Sequence, residues 1–273
     1  FSFFFFFSFL ILNVNAQHSN LLLGNSYSTN FNQLIYAEES NFHTSFKPII
    51  KSDLNFDVDS ILESQIQSDY SNWYLRKMFS EHFFLLKGED YRVVASPIIN
   101  LTSGKEFIQE KNTFTNTRGF VIEGDLGKKI SFFSSFVENQ SVFPNYIDSL
   151  IRTSIHDYVI PGQGRGRTYN NNGFDYAMSS GFVSIEASNA FTLQFGHGKH
   201  FIGNGYRSLL LSDNTFNYPF LRLQTNFGDF EYTNLYAEFQ DMKSYLSPEN
   251  DYDYMGYSKK YMSAHYLSYN VNN

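Results

Sequence analysis

The chain has 273 residues, a formal net charge of −7 and no cysteine, which excludes a disulfide framework and a thiolate zinc site. Its acidic balance argues against a nucleic-acid partner, because neutralising phosphates requires a basic surface. Mean hydropathy is −0.33, yet 19% of the residues are aromatic. That combination fits a membrane β-barrel, whose strands turn only alternate residues to lipid, and a soluble β-sandwich shares it.

Phe1 to Leu12 are almost wholly apolar and lead to Val14-Asn15-Ala16 before Gln17, the pattern of a secretory signal over residues 1–16 with a small-residue cleavage site. No Met and no basic stretch precede this run, so its start is expected to be missing. It is shorter than the roughly 20 residues a membrane-spanning helix needs. Residues 17–90 read as an irregular, polar N-terminal segment, a periplasmic cap or plug. Within it Leu75, Met78, Phe79, His82, Phe83 and Leu86 fall at helical spacing. They predict one amphipathic helix, capped by Ser71 or Asn72, that reaches almost to the first strand.

From Tyr91 the pattern changes to strands, predicted over 91–101, 115–126, 130–139, 174–187, 190–196, 217–227, 229–241 and 258–271. Period-two alternation places Phe191, Leu193 and Phe195 opposite Thr192 and Gln194, and Leu221, Leu223, Thr225 and Phe227 opposite Arg222, Gln224 and Asn226. The connections alternate in length. Gly124–Lys129, Ala187–Ala190 and Asn226–Asp229 read as tight turns, whereas 102–114, 140–173, 197–216 and 242–257 read as long loops. Outer-membrane barrels have this asymmetry, with short periplasmic turns and long external loops. The expected fold is therefore all-β: an antiparallel transmembrane β-barrel over 91–273, preceded by a short helical or irregular segment. Because the sequence stops in strand-like residues at Val271, further C-terminal strands are expected.

Two loop segments carry the residues with chemistry. The segment from Gly196 to Asn214 contains His197, Lys199, His200, Arg207 and Asp213 among several glycines. Two histidines three apart suggest a metal, but no further ligand completes a set, and no metal or cofactor is expected. The segment also lacks the phosphate-loop pattern. It is expected to fold inward or across the barrel mouth. The second segment, Pro161-Gly162-Gln163-Gly164-Arg165-Gly166-Arg167, offers two guanidinium forks that match carboxylates of an anionic sugar polymer or phosphates of lipopolysaccharide. Just before it, Ile147, Leu150, Ile151 and Ile155 predict a short loop helix. Neither a Ser-His-Asp order nor a paired carboxylate appears, so no enzyme activity is expected. The candidate ligand-binding residues are Arg165, Arg167, His197, Lys199, Arg207 and Asp213.

The run Phe195-Gly196-His197-Gly198-Lys199-His200-Phe201-Ile202-Gly203-Asn204-Gly205-Tyr206-Arg207-Ser208-Leu209-Leu210-Leu211-Ser212-Asp213, followed by Phe216-Asn217-Tyr218-Pro219, resembles the capsule-assembly Wzi-like family. It is most similar to the Bacteroidetes branch with relatives linked to gliding motility. Trp73, the Arg76–Phe79 run, Glu81-His82 and the Val159–Gly164 stretch support the resemblance, which extends from about Asn72 to the last residue. It implies a non-enzymatic bacterial outer-membrane barrel that helps attach or assemble surface polysaccharide. Alternatives are a component of the gliding or adhesin apparatus and a diffusion channel. The implied partners are outer-membrane lipid and lipopolysaccharide, surface polysaccharide and other surface or motility proteins.

Overall fold

The structure, a computed structural model, describes residues 19–21, 23, 31, 34–35, 42–54, 56, 58, 60–61, 70–153, 158–170, 172–245 and 257–271. The expected signal over 1–16, Ile155 and most of the 242–257 loop lie outside the described residues. Among the described residues thirteen strands appear in chain order: β1 (Phe46–Lys47), β2 (Phe84–Lys87), β3 (Tyr91–Glu106), β4 (Lys111–Leu126), β5 (Ile130–Val142), β6 (Tyr158–Ile160), β7 (Gly164–Tyr169), β8 (Gly173–Ser188), β9 (Phe191–Gly198), β10 (Phe201–Ile202), β11 (Tyr218–Phe227), β12 (Phe230–Tyr245) and β13 (Tyr257–Tyr269). Among the described residues they are accompanied by α1 (Trp73–Phe79) and α2 (Asn145–Arg152).

Eleven strands form one antiparallel sheet in the order β13-β12-β11-β9-β8-β5-β4-β3-β2, with β7 hydrogen-bonded to β8 and β6 to β7. Sequential strands are neighbours almost throughout, as short hairpins dictate. Among the described residues the sheet is open, with β2 and β13 at its edges; it does not close as a barrel. The three predicted tight turns connect β4 to β5, β8 to β9 and β11 to β12. At the last, Gly228 has φ +58°, a left-handed conformation that a two-residue hairpin turn needs and that glycine adopts without steric cost.

Three expectations need correction. The amphipathic helix does not run to Leu86. Asn72 caps α1 by accepting a hydrogen bond from the Tyr74 N–H at 2.9 Å, but the helix ends at Phe79, where the Ser80 and Glu81 N–H groups both turn back to the Arg76 carbonyl. Phe84 to Lys87 instead form β2, placed in register with Ala95 to Arg92. A short apolar run satisfies either period, and the backbone partners on β3 decide for the strand. β2 reaches no further than Ala95, and Pro97, which has no N–H to donate, lies just beyond it on β3. The connection 102–114 is not a long loop either: β3 and β4 pair as far as Glu106 and Lys111. Alternating Thr113, Thr115 and Thr117 extend that ladder past the apolar residues, since β-branched side chains suit a strand whatever their polarity. In α2, which forms at the predicted spacing, Ile151 is buried and Ile147 packs against the same cluster, but Leu150, spaced with them, is 61% exposed.

Register and burial together give the sheet two unlike faces. On β11, Tyr218, Phe220, Arg222 and Gln224 are buried while Pro219, Leu221 and Phe227 are exposed. Following the pairings outward from Arg222, the same inner face carries Gln194, Ser184, Ser131 and Asp125 on one side and Leu235 and Ala264 on the other. The outer face carries Ile99, Leu101, Phe120, Phe136, Phe195, Leu221, Tyr236, Tyr261 and Leu267, all 36% exposed or more. Buried polar residues such as Arg222, Gln194 and Gln224 share the inner face with Phe220 and Leu235, while many large apolar residues of the outer face are bare.

Candidate functional site

Around β9, β11 and β13 the inner face is covered by the N-terminal segment, which packs on it. That segment has a small core of its own, Leu21, Phe31, Ile35, Ile49, Leu54 and Val58. It is stitched to the sheet at four places. Gln194 on β9 donates to Asn20 Oδ1 at 2.8 Å. Arg222 on β11 donates to the Pro48 carbonyl at 2.7 Å, Gln224 donates to Asp53 Oδ2 at 2.6 Å, and His43 meets Ser268 Oγ on β13 at 2.8 Å. β1 also pairs with β10, and Lys47 donates to the Gly203 carbonyl at 3.0 Å; burial lowers the pKa of that ammonium.

Phe46 is the wedge of this interface. Its ring lies under the Arg222 guanidinium at 4.8 Å and beside His200 at 5.8 Å and Tyr266 at 5.9 Å. Arg222 is fully buried, and its charge is balanced by two carboxylates joined through Gln224, Asp53 and Glu231. The guanidinium also donates to Gln224 Oε1. A buried cation is tolerable only with partners of this kind. His200 has 0% exposure. Its backbone N–H donates to the Tyr218 hydroxyl at 3.0 Å and its Nδ1 lies 3.1 Å from the same oxygen. Burial, reinforced by the Arg222 charge, holds the His200 pKa well below the ordinary histidine value, so the ring is neutral at pH 7.

The predicted binding residues gather only in part. Lys199 reaches from the β9–β10 connection to donate to the Gly162 carbonyl at 2.6 Å. Burial lowers its pKa, opposed by the nearby charge of Asp213. A Cβ built on Gly162, which has φ +71°, would stand 3.2 Å from Asn214 Oδ1. Lys199 thus fastens the segment after β9 to the β6–β7 turn, and after His200 that segment continues as β10 against β1. Arg165 and Arg167 lie two apart on β7 with Gly166 between them, so both side chains leave the same, exposed face. Arg167 is in register with Asp175. His197 belongs to the outer face of β9, with Nδ1 3.2 Å from the Ser179 carbonyl. It therefore does not converge with His200, which lies on the inner side. Arg207 sits at 4.8 Å over the ring of its neighbour Tyr206.

Sequence reasoning missed the inner-face group of Phe46, His200, Arg222, Gln224, Glu231 and Asp53. The alternation exposed Arg222 and Gln224 as polar residues sharing a face; what covers that face lies about 170 residues away in sequence. Comparison with known proteins adds nothing to this geometry: no family model, curated protein or solved structure matches the chain.

Proposed function

We propose that the chain is part of a non-enzymatic bacterial outer-membrane β-barrel that binds or organises anionic surface polysaccharide. In this reading the outer face of the sheet meets lipid and the N-terminal segment fills the lumen. The observation that carries it is the inverted polarity of the two faces. A sheet in water buries its apolar side, whereas a barrel in lipid exposes it and keeps polar groups inside. Lengths agree: on β3 the outward residues Tyr91, Val93, Ala95, Pro97, Ile99 and Leu101 span 11 residues before Ser103 and Lys105 follow, and a transmembrane strand needs roughly 9–11. Aromatic residues Phe227, Phe230 and Tyr269 stack at the turn end, with centroids 5.3 Å and 4.5 Å apart, where an interfacial girdle belongs.

The loop side is the opposite end, and there the β6–β7 hairpin displays Arg165 and Arg167. Tied down through Lys199, that hairpin offers guanidinium groups on a framed support, an arrangement suited to carboxylates or phosphates of a sugar polymer. The similarity to the capsule-assembly Wzi-like family points the same way. A lumen occupied by the N-terminal segment supports a binding role over free diffusion. The test is a strain lacking the gene, complemented with wild type or with Arg165→Gln/Arg167→Gln. Cell-bound acidic polysaccharide should fall and the shed fraction should rise in the deletion strain and in the double variant. Unchanged retention in the deletion strain would overturn the proposal, and stepwise ion conductance of the purified protein in planar bilayers would favour a channel instead.

A further inference from the structure

Arg222, Gln194 and Thr233 are almost fully buried on the inner face, at 1%, 0% and 0% exposure. Each nevertheless keeps a polar atom with no hydrogen-bond partner: Arg222 Nε, Gln194 Oε1 and Thr233 Oγ1. The bonds around them are already made. The Gln194 amide donates to Asn20 Oδ1 at 2.8 Å and to Ser184 Oγ at 3.2 Å. Arg222 donates through its terminal nitrogens to the Pro48 carbonyl and to Gln224 Oε1, and the Gln224 amide donates to both Asp53 and Glu231. A buried polar atom left unpaired is costly, and folded proteins pair nearly all of them with protein or with bound water.

Register brings these atoms together. Arg222 on β11 and Gln194 on β9 are directly opposed, and Thr233 on β12 is opposed to Gln224, the next inner residue along β11. One row further toward the turn end stands Asn226, whose Oδ1 is likewise buried and unpartnered while its amide reaches Asp53 Oδ1 at 3.4 Å. The orphaned atoms thus occupy three successive inner rows, spaced roughly 7 Å along the strand. The opposite wall belongs to the N-terminal segment, which contributes Asn20, Pro48 and Asp53.

The chemistry of the orphans selects the ligand. Arg222 Nε–H can only donate and Gln194 Oε1 can only accept, so a molecule serving both must accept from one and donate to the other. An anion has no hydrogen to give Gln194, and a metal cation has no lone pair for Arg222. Water does both, the Thr233 hydroxyl can meet it in either role, and a buried water typically makes about three such bonds.

We infer that a short file of water molecules is bound along the inner face of β11, enclosed between the sheet and the N-terminal segment. One water bridges Arg222 Nε to Gln194 Oε1, and others sit on Thr233 Oγ1 and Asn226 Oδ1. The seam is therefore wet at this level, whereas the segment's own core of Leu21, Phe31, Ile35 and Val58 is apolar. The inference concerns the inner face alone and holds whatever the outer face meets.

A crystal structure of the purified chain that orders solvent tests it directly. Expected is water density within hydrogen-bond distance of both Arg222 Nε and Gln194 Oε1, with further density on Thr233 Oγ1. A direct bond between Arg222 and Gln194 with no density between them overturns the inference, and so does an ion in place of water. Thr233→Val gives an independent readout, because it keeps the side-chain shape and removes only the hydroxyl. If that hydroxyl holds water, the urea midpoint should fall. A dry, unpaired hydroxyl would instead make the valine variant at least as stable as wild type, and an unchanged or raised midpoint overturns the inference. Polysaccharide retention bears on the outer-membrane reading and not on this seam, so the two fail separately.

Discussion

The two faces of β11 obey opposite rules on one backbone. Its outer residues Pro219, Leu221 and Phe227 are exposed and Leu223 and Thr225 half-buried, with Phe227 stacked on Phe230 across the turn. Its inner residues Arg222 and Gln224 are almost completely buried, at 1% and 2% exposure. Hydrophobic burial alone would reverse this arrangement. The inner face is held against the N-terminal segment by hydrogen bonds and a charge network beside an apolar cluster of Phe46, Tyr218, Phe220 and Leu235, so its stability also depends on each polar group keeping its partner. The outer face depends only on its surroundings being apolar. The two faces should therefore fail in different ways.

The largest effect is expected at the wedge. Phe46→Ala removes a fully buried ring and should cost about 3–5 kcal/mol, read as a lower urea midpoint for refolded protein in lipid vesicles and as early proteolysis of the N-terminal segment. Arg222→Met should approach this, since it leaves Asp53 and Glu231 facing each other without their cation. The outer face comes next. Leu223→Arg should cost about 2–4 kcal/mol in vesicles, as for a cation on the lipid side of a barrel, whereas Arg in place of the exposed inner-face Asn100 should change stability by no more than about 0.5 kcal/mol. Equal costs at the two positions would remove the distinction between the faces.

A smaller effect separates them by pH. His200 packs neutral with a depressed pKa, so at neutral pH its packing carries no protonation penalty. As pH falls through about 6.5, the ordinary value, His200 uncovered by release of the segment binds a proton that the packed histidine refuses, and attachment weakens. Protease release of the N-terminal segment should rise between pH 7.5 and 5, and His200→Gln should flatten that rise while leaving the outer face unaffected. The smallest change in stability is expected at the hairpin: Arg165→Gln and Arg167→Gln should leave the urea midpoint within about 0.5 kcal/mol. They should still reduce polysaccharide retention severalfold, an effect that salt should mimic in the wild type.

Much of this architecture was legible in the amino-acid order. Alternation in Phe191–Phe195 and Leu221–Phe227 located strands and assigned their faces, because a strand repeats every two residues whatever surrounds it. Gly228 with Asp229 announced its turn for an equally local reason. The run from Phe83 to Leu86 did not declare itself, since four apolar residues fit a helix or a strand until a neighbour supplies hydrogen bonds. Nor did the binding candidates separate: His197 and His200 are close in sequence, yet the end of β9 sends one outward and the other beneath Phe46. Periodicity is a property of the local backbone and can be read along the chain. Which segment covers Arg222, or which strand captures Phe84, depends on contacts closed across long loops, and only the assembled sheet determines them.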